Sequence, residues 1–190
     1  VLLSVVAGSL YAAEPGGVAS PKWWGQASGL AGADGSQIST WTNSSTTNVG
    51  QNAVQGTATA RPLLRNNIAK RVNFNPVAQF DGSNDVLSVS AGFSGASTHQ
   101  RAHYFMVVVP SNSTQQSWAF WETQVNFPVD ADGRLAVHLP WLNTIYWDAG
   151  TCCANNRLSY TPSVPYVLTP TVWSFVKDTA VNPILEIPFT

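Results

Sequence analysis

Five consecutive residues, Asp81-Gly82-Ser83-Asn84-Asp85, place two carboxylates and one carboxamide in a single short turn. Asp81, Asn84 and Asp85 are oxygen donors of the kind that Ca²⁺ collects from loops, about six to eight at a time. Asp and Asn side chains also bond nearby backbone N–H groups in tight turns, where Gly supplies a positive φ. The turn therefore predicts either a calcium site or a self-contained structural turn, and the sequence leaves both interpretations open.

A second candidate site lies in a segment that concentrates aromatic and polar side chains. The faces of Trp and Tyr rings stack on the C–H surfaces of sugars, and the edges of Asp and Asn bind hydroxyls, so the segment predicts a ligand-binding surface. We expect this surface to be formed by Trp141, Tyr146, Trp147, Asp148 and Arg157. The alternative for any tryptophan is the core, because aromatic side chains dominate the area that a fold buries. Three tryptophans in strand-like patterns are interpreted as core residues: Trp41, Trp118 and Trp173.

The two cysteines of the chain, Cys152 and Cys153, are adjacent. Neighbouring Cα atoms lie about 3.8 Å apart, below the usual disulfide span of about 4.4–6.8 Å, so a bond between them would be strained and would lock a turn. Adjacent cysteines without a nearby His are also poor zinc ligands. Three alternatives stay open: a vicinal disulfide, two reduced thiols, or bonds to cysteines in sequence beyond this chain.

Residues that could catalyse a reaction are sparse in the chain. Glu122 lies in a predicted strand but has no acidic partner nearby, so the paired carboxylates of a glycosidase strand are absent. The histidines His99, His103 and His138 stand beside no nucleophile or metalloprotease motif. His103 and His138 alternate with apolar residues, which predicts polar positions on a sheet surface. We expect a protein that is not an enzyme.

Composition narrows the class of protein further. Charged residues make up 10% of the 190 residues, eight residues are Trp, and the net charge is −1. Few charges and much Trp, Thr, Ser and Asn are typical of extracellular β proteins, and no basic patch is available for nucleic acid or anionic lipid. Residues 1–13 have the apolar run and small residues that end a secretory signal. No stretch approaches the roughly 20 apolar residues of a membrane span, so we expect a secreted or extracellular location.

The elements that must position these residues are short strands. Pro and Gly fall mostly between alternating runs, and no segment sustains a helical period over three turns. Short strands spaced about 8–12 residues apart indicate a sandwich or barrel, and we expect an all-β, two-sheet antiparallel sandwich. Its main predicted strands are Arg101–Val109, Ser117–Thr123, Arg134–Leu139, Thr144–Asp148 and Val172–Lys177.

Several ordered blocks of the sequence match one family pattern. The blocks are FDGSNDVL at Phe80–Leu87, GRLAVHLPW at Gly133–Trp141, YWD at Tyr146–Asp148, and the Cys152-Cys153 pair. In this order they resemble the laminin-G-like, concanavalin-A-like jelly-roll domains of secreted bacterial multidomain proteins. The resemblance covers the chain from about Pro15 to Lys177.

The resemblance implies a jelly-roll domain over residues 14–190, often with one Ca²⁺ at the rim of the sandwich. It implies a secreted or cell-surface lectin-like module that recognises glycan or an extracellular protein within a larger multidomain chain. After Lys177 the sequence departs from the family's closing strands, so we expect a fragment whose sandwich is incomplete at its C-terminus. Two other functions stay open: a non-catalytic accessory domain of a polysaccharide-degrading enzyme, or a structural spacer.

Overall fold

The computed structural model describes residues 18–47, 51–89, 101–123, 134–149, 157–178 and 181–186. Every regular element in these ranges is a β-strand or a three-residue 3₁₀ turn, so the prediction of an all-β protein is confirmed. The 3₁₀ turns are Ala27–Gly29, Ala58–Ala60 and Ile68–Lys70. No helix in the described ranges has the length and apolar character that crossing a membrane requires.

The described ranges contain twelve strands, all paired antiparallel. They are β1 Thr40–Trp41, β2 Ala53–Val54, β3 Leu63–Arg65, β4 Val77–Gln79, β5 Ser88–Val89, β6 Arg101–Val108, β7 Gln116–Thr123, β8 Arg134–Trp141, β9 Thr144–Ala149, β10 Arg157–Tyr160, β11 Thr171–Asp178 and β12 Val181–Glu186. The five main strands predicted from the sequence correspond to β6, β7, β8, β9 and β11, each within two residues at either end.

The chain divides into two compact units, and the first comprises residues 18–79 and 86–89 of the described ranges. It contains a three-stranded sheet in the order β1-β2-β5 and the β3-β4 pair. Leu30, Ile38 and Leu64 form its buried cluster, against which Trp41 packs. Trp41 is partly buried, so it lies at the edge of the core in which the sequence predicts it. Its indole N–H donates to the backbone oxygen of Gln26 at 3.1 Å.

The second unit comprises residues 80–85 and the described residues from 101 onward. Its four-stranded sheet has the order β10-β9-β8-β7, so strands that follow one another in the chain are neighbours in the sheet. Its three-stranded sheet has the order β12-β11-β6. Antiparallel neighbours of this kind need only short connections, and Leu142 and Asn143, both at positive φ, form the turn between β8 and β9.

An apolar layer joins the two sheets of the second unit. Its buried members come from the four-stranded sheet, from β11, and from the loop before β11: Leu135, Val137, Leu139, Ile145, Trp147, Ala149, Tyr166, Trp173 and Phe175. Partly buried residues of β6, including Tyr104 and Met106, pack against the same layer. Burying a large apolar side chain stabilises a fold by about 1.5–3 kcal/mol, so this layer holds the sheets together in a sandwich-like arrangement.

Trp147 is the centre of the apolar layer and corrects a prediction made from the sequence. It was expected to face a ligand, but its side chain is 0% exposed. Its indole N–H donates to the backbone oxygen of Val176 at 3.0 Å, and its ring contacts Tyr104 and Phe175. Strand alternation explains the error, because Trp147 must point opposite to its neighbours in β9. Trp173 is buried in the same layer, as the sequence predicts.

Replacing Trp147 by Ala is expected to lower the free energy of unfolding by about 3–5 kcal/mol, because it leaves a large cavity in the apolar layer. Trp121 is a matched control, since it is 54% exposed in the same sheet. Trp121→Ala is expected to cost no more than about 1 kcal/mol. Urea denaturation followed by circular dichroism measures both values, and equal losses in the two variants would contradict the assignment of Trp147 to the core.

Candidate functional site

The face of the four-stranded sheet that points away from the apolar layer carries aromatic, imidazole and charged side chains. Strand register arranges them in two rows across the sheet. One row runs Trp121, Ala136, Asp148, Arg157, and the other runs Trp118, His138, Tyr146, Ser159. We call this surface the aromatic face and define it by Trp118, Trp121, His138, Trp141, Tyr146 and Arg157.

An irregularity in β7 brings Trp118 and Trp121 to the same face. Residues three apart in a regular strand point to opposite faces, but the pairing register shifts between Trp118 and Phe120. Phe120 packs into the apolar layer, whereas the two indoles stack with their centroids 5.4 Å apart and their planes at 16°. Trp118 and Trp121 are 53% and 54% exposed, so the pair presents a large apolar surface to solvent.

Trp118 was interpreted from the sequence as a core residue, and the structure corrects this. The strand-like pattern around it is real, since Trp118 lies in β7. The register shift that turns it outward depends on how β7 pairs with β8. A pair of tryptophans three positions apart in one strand is the signal that could have raised the question.

A buried ion pair lies under the aromatic face. Asp148 is 0% exposed, and both of its carboxylate oxygens accept hydrogen bonds from the guanidinium of Arg157, through Nε and through Nη2 at 2.7 Å. This two-point geometry is the strong form of an Arg–carboxylate contact. Donation to the Asp148 carboxylate raises the pKa of Arg157 above its ordinary value. The sequence predicts that this carboxylate binds ligand hydroxyls, and the structure corrects this. Asp148 is buried and paired with Arg157, so it is not accessible to a ligand, and it positions the guanidinium instead.

Arg157 is also fixed from its other side. Its guanidinium carbon lies 4.5 Å from the centroid of the Tyr146 ring, within the range of a cation–π contact. Tyr146 and Trp141 each meet the His138 ring edge to face, at centroid distances of 6.2 Å and 4.8 Å. The structure therefore brings together four of the five residues predicted for the surface, with Asp148 beneath the others.

His138 lies at the middle of the aromatic face. The sequence predicted a polar position on the sheet surface, but the side chain is buried, with 4% of the residue exposed. Its Nε2 accepts a hydrogen bond from the indole N–H of Trp118 at 3.0 Å. The same nitrogen lies 3.7 Å from Oδ2 of Asp148. The imidazole thus lies between the ion pair and the stacked tryptophans.

The Asp81 turn satisfies its own carboxylates. One oxygen of Asp81 accepts from the backbone N–H groups of Ser83, Asn84 and Asp85, and Asp85 accepts from the N–H of Asp81 at 2.9 Å. These bonds, led by the one from Ser83, lower the pKa of Asp81 below its ordinary value. Gly82 has a φ of 74°, a region that favours glycine.

The geometry of the turn favours its structural interpretation. Asp81 and Asp85 use carboxylate oxygens to close the turn, whereas Ca²⁺ needs about six to eight oxygens directed at one point. The described residues contain no group of three or more His, Cys, Asp or Glu side chains arranged to hold a metal ion. Calcium binding at Asp81, Asn84 and Asp85 stays a prediction.

Two sequence predictions, and one histidine without a predicted role, concern residues outside the described ranges. Cys152 and Cys153 lie there, as do His99 and the signal-like residues 1–13. The vicinal disulfide and the secretory signal therefore stay predictions.

Comparison of the chain with protein-family models, with curated proteins and with solved structures found no match. The laminin-G-like resemblance rests on the sequence blocks alone, and the aromatic face rests on its own geometry.

Removing Arg157 is expected to destabilise the protein because the buried Asp148 carboxylate loses both hydrogen bonds of the two-point contact. Arg157→Met is expected to lower the free energy of unfolding by about 3–5 kcal/mol. Arg157→Lys keeps the charge but lacks the planar fork, so an intermediate loss is expected in urea denaturation. The double variant Asp148→Leu, Arg157→Met is expected to recover most of the loss, because an apolar pair needs no compensation. A loss below about 1 kcal/mol in Arg157→Met would contradict the assigned role of the pair.

Acid is expected to remove the stabilisation that the Asp81 carboxylate supplies. Its pKa is lower in the folded protein than the ordinary value of 3.8, so the stabilisation is fully present above the unfolded-state pKa and is lost as pH falls through the folded-state pKa. The difference in melting temperature between wild type and Asp81→Ala should therefore shrink as pH falls below about 4. Asn84→Ala is the control, since it removes no titratable group, and its difference should stay constant.

The same variants measure calcium binding. A ligand that binds only the folded state raises the melting temperature, so millimolar Ca²⁺ should stabilise wild type but neither Asp81→Ala nor Asp85→Ala if the turn binds the ion. No shift in the wild type assigns the turn a structural role alone. If the difference in melting temperature between wild type and Asp81→Ala did not change with pH, the stabilising role of the Asp81 charge would be contradicted.

Proposed function

We propose that the aromatic face binds glycan and that the protein is a secreted or cell-surface lectin-like module built on a concanavalin-A-like jelly roll. The observation that carries the proposal is the stacked Trp118–Trp121 pair, more than half exposed on an otherwise well-packed sheet. Large aromatic side chains contribute most when they are buried, so an exposed pair of this size indicates a surface that a ligand covers.

The chemistry around the pair suits a sugar. Indole faces offer apolar area to the C–H surface of a pyranose, and exposed polar groups nearby can bind its hydroxyls. Ser159 continues the row of His138 and Tyr146, and Gln116 and Thr144 flank Trp141 on the adjoining strands. Such a mixture of apolar platform and small polar groups is what a glycan chain requires.

Charge favours a neutral glycan over an acidic one. Within the described part of the aromatic face, the formal charges are those of Asp148 and Arg157, which neutralise each other in a two-point ion pair. A ligand carboxylate or sulfate would therefore have to compete with Asp148 for the guanidinium. Neutral polysaccharide needs no such exchange.

The wider setting of the module follows from the sequence rather than from the site. The signal-like residues 1–13 and the family resemblance support export and membership of a larger multidomain chain. An extracellular protein partner is the other ligand class that the resemblance implies, and the exposed indoles could also serve such a partner. An accessory domain of a polysaccharide-degrading enzyme would use the same kind of surface. The lectin-like module and the accessory domain therefore differ in the domains attached to them, not in their binding surface.

Substitution of the platform is expected to abolish glycan binding without unfolding the protein. A glycan array with the whole chain first identifies a ligand, and isothermal calorimetry then compares variants. Trp118→Ala, Trp121→Ala and Tyr146→Ala are each expected to weaken binding about tenfold or more, because a stacked aromatic contributes about 1–2 kcal/mol with its buried area. Phe105→Ala is the matched control, since Phe105 is 60% exposed on the other sheet and should leave affinity unchanged.

Two outcomes would overturn the proposal. Equal losses in Phe105→Ala and the platform variants would place the ligand elsewhere, and an array without any bound glycan would favour the spacer or a protein partner. Calorimetry with Ca²⁺ and with a chelator shows whether glycan binding depends on the ion that laminin-G-like domains often hold at the rim of the sandwich.

A further inference from the structure

The hydrogen bond between Trp118 and His138 identifies the imidazole nitrogen that accepts, because the indole N–H is the donor. An indole N–H can only donate, so Nε2 of His138 must carry its lone pair toward Trp118, at 3.0 Å. The neutral ring then carries its proton on Nδ1. That nitrogen is buried and has no hydrogen-bond partner among the described groups. No contact of Nδ1 therefore selects the tautomer.

Distance decides that Nε2 bonds to Trp118 rather than to Asp148. Oδ2 of Asp148 lies 3.7 Å from Nε2, beyond the usual range of a hydrogen bond, whereas the indole N–H of Trp118 donates to Nε2 at 3.0 Å. Asp148 itself is held by Arg157, which donates to both of its carboxylate oxygens.

The other neighbours of His138 hold the ring in place. Trp141 from the same strand and Tyr146 from β9 meet it edge to face. In the described structure, the charged or titratable groups facing His138 are Asp148 and Tyr146 from β9 and, through Asp148, Arg157 from β10. A ring held in this way is a fixed acceptor rather than a mobile one.

We propose that His138 is a positioning residue of the glycan site: its Nε2 anchors the Trp118 indole and, through the stack, orients Trp121. The inference rests on the proposed function, since it concerns the same platform. The ligand need not touch His138, which is buried beneath the rings. An anchored indole loses less side-chain freedom when the ligand binds than a free one does, and loss of the anchor is expected to weaken binding about three- to tenfold.

The hydrogen bond can be measured directly on the ¹⁵N-labelled whole chain without ligand. The indole resonance that is missing from the spectrum of the Trp118→Phe variant belongs to Trp118. A scalar coupling between the indole nitrogen and Nε2 of His138 is expected across the hydrogen bond, together with a nitrogen shift for Nε2 typical of an unprotonated ring atom.

Two replacements of His138 separate anchoring from packing. His138→Gln can place an acceptor oxygen where Nε2 lies, whereas His138→Leu fills the space without an acceptor. The Trp118 indole signal is expected to lose its hydrogen-bonded shift in His138→Leu and to keep it in His138→Gln. Glycan affinity should fall about three- to tenfold in His138→Leu and stay within about twofold of wild type in His138→Gln.

Trp118→Phe tests the anchor from the donor side if His138→Leu does not fold, because it removes the indole N–H and leaves His138 in place. It is expected to shift the Trp121 resonance and to weaken binding. Full glycan affinity in His138→Leu, with the hydrogen bond lost, would overturn the positioning role and leave the proposed function intact. No glycan binding by the wild type, with the coupling present, would overturn the proposed function instead. Absence of the coupling in the wild type would overturn the anchor itself.

Discussion

Alternation along β9 is the constraint on which both the core and the candidate site depend. Ile145, Trp147 and Ala149 point into the apolar layer, so Tyr146 and Asp148 must point to the other side of the sheet. A shift of one residue in this strand would exchange the two sets. It would put a carboxylate into the apolar layer and an indole into the aromatic face, and the burial of Trp147 makes that exchange costly.

The buried ion pair links the alternation along β9 to the candidate site, because Asp148 of this strand pairs with Arg157 on the aromatic face. Asp148 is fully enclosed on the aromatic face, and an unpaired carboxylate there would be strongly unfavourable. Arg157 arrives from the adjacent strand β10, directly opposite in register, and satisfies both oxygens. The pairing of β9 with β10 thereby fixes the guanidinium against Tyr146, and His138 beside the pair accepts a hydrogen bond from Trp118. The stability of the sheet and the geometry of the platform share these contacts.

The Asp81 turn shows how far a local motif can be interpreted. Its residue types predicted a tight turn, and the carboxylate of Asp81 does bond three backbone N–H groups inside it. These contacts span four residues or fewer, so the sequence contains all the partners. A metal site depends on further oxygens brought from distant parts of the chain, and a local motif holds no information about them.

The sequence by itself determined the β class, the positions of the main strands and most of the segment that forms the site, because these follow from residue preferences and period-2 patterns within a few residues. Trp141, Tyr146 and Arg157 were placed on one surface because their segment concentrates aromatic and polar side chains. The tertiary structure decided the rest: that Trp147 belongs to the core, that Trp118 and Trp121 face outward together, and that Asp148 serves Arg157. Each of these depends on pairing between strands, and a register shift or a cross-strand ion pair is set by the partner strand rather than by the residues next in the chain.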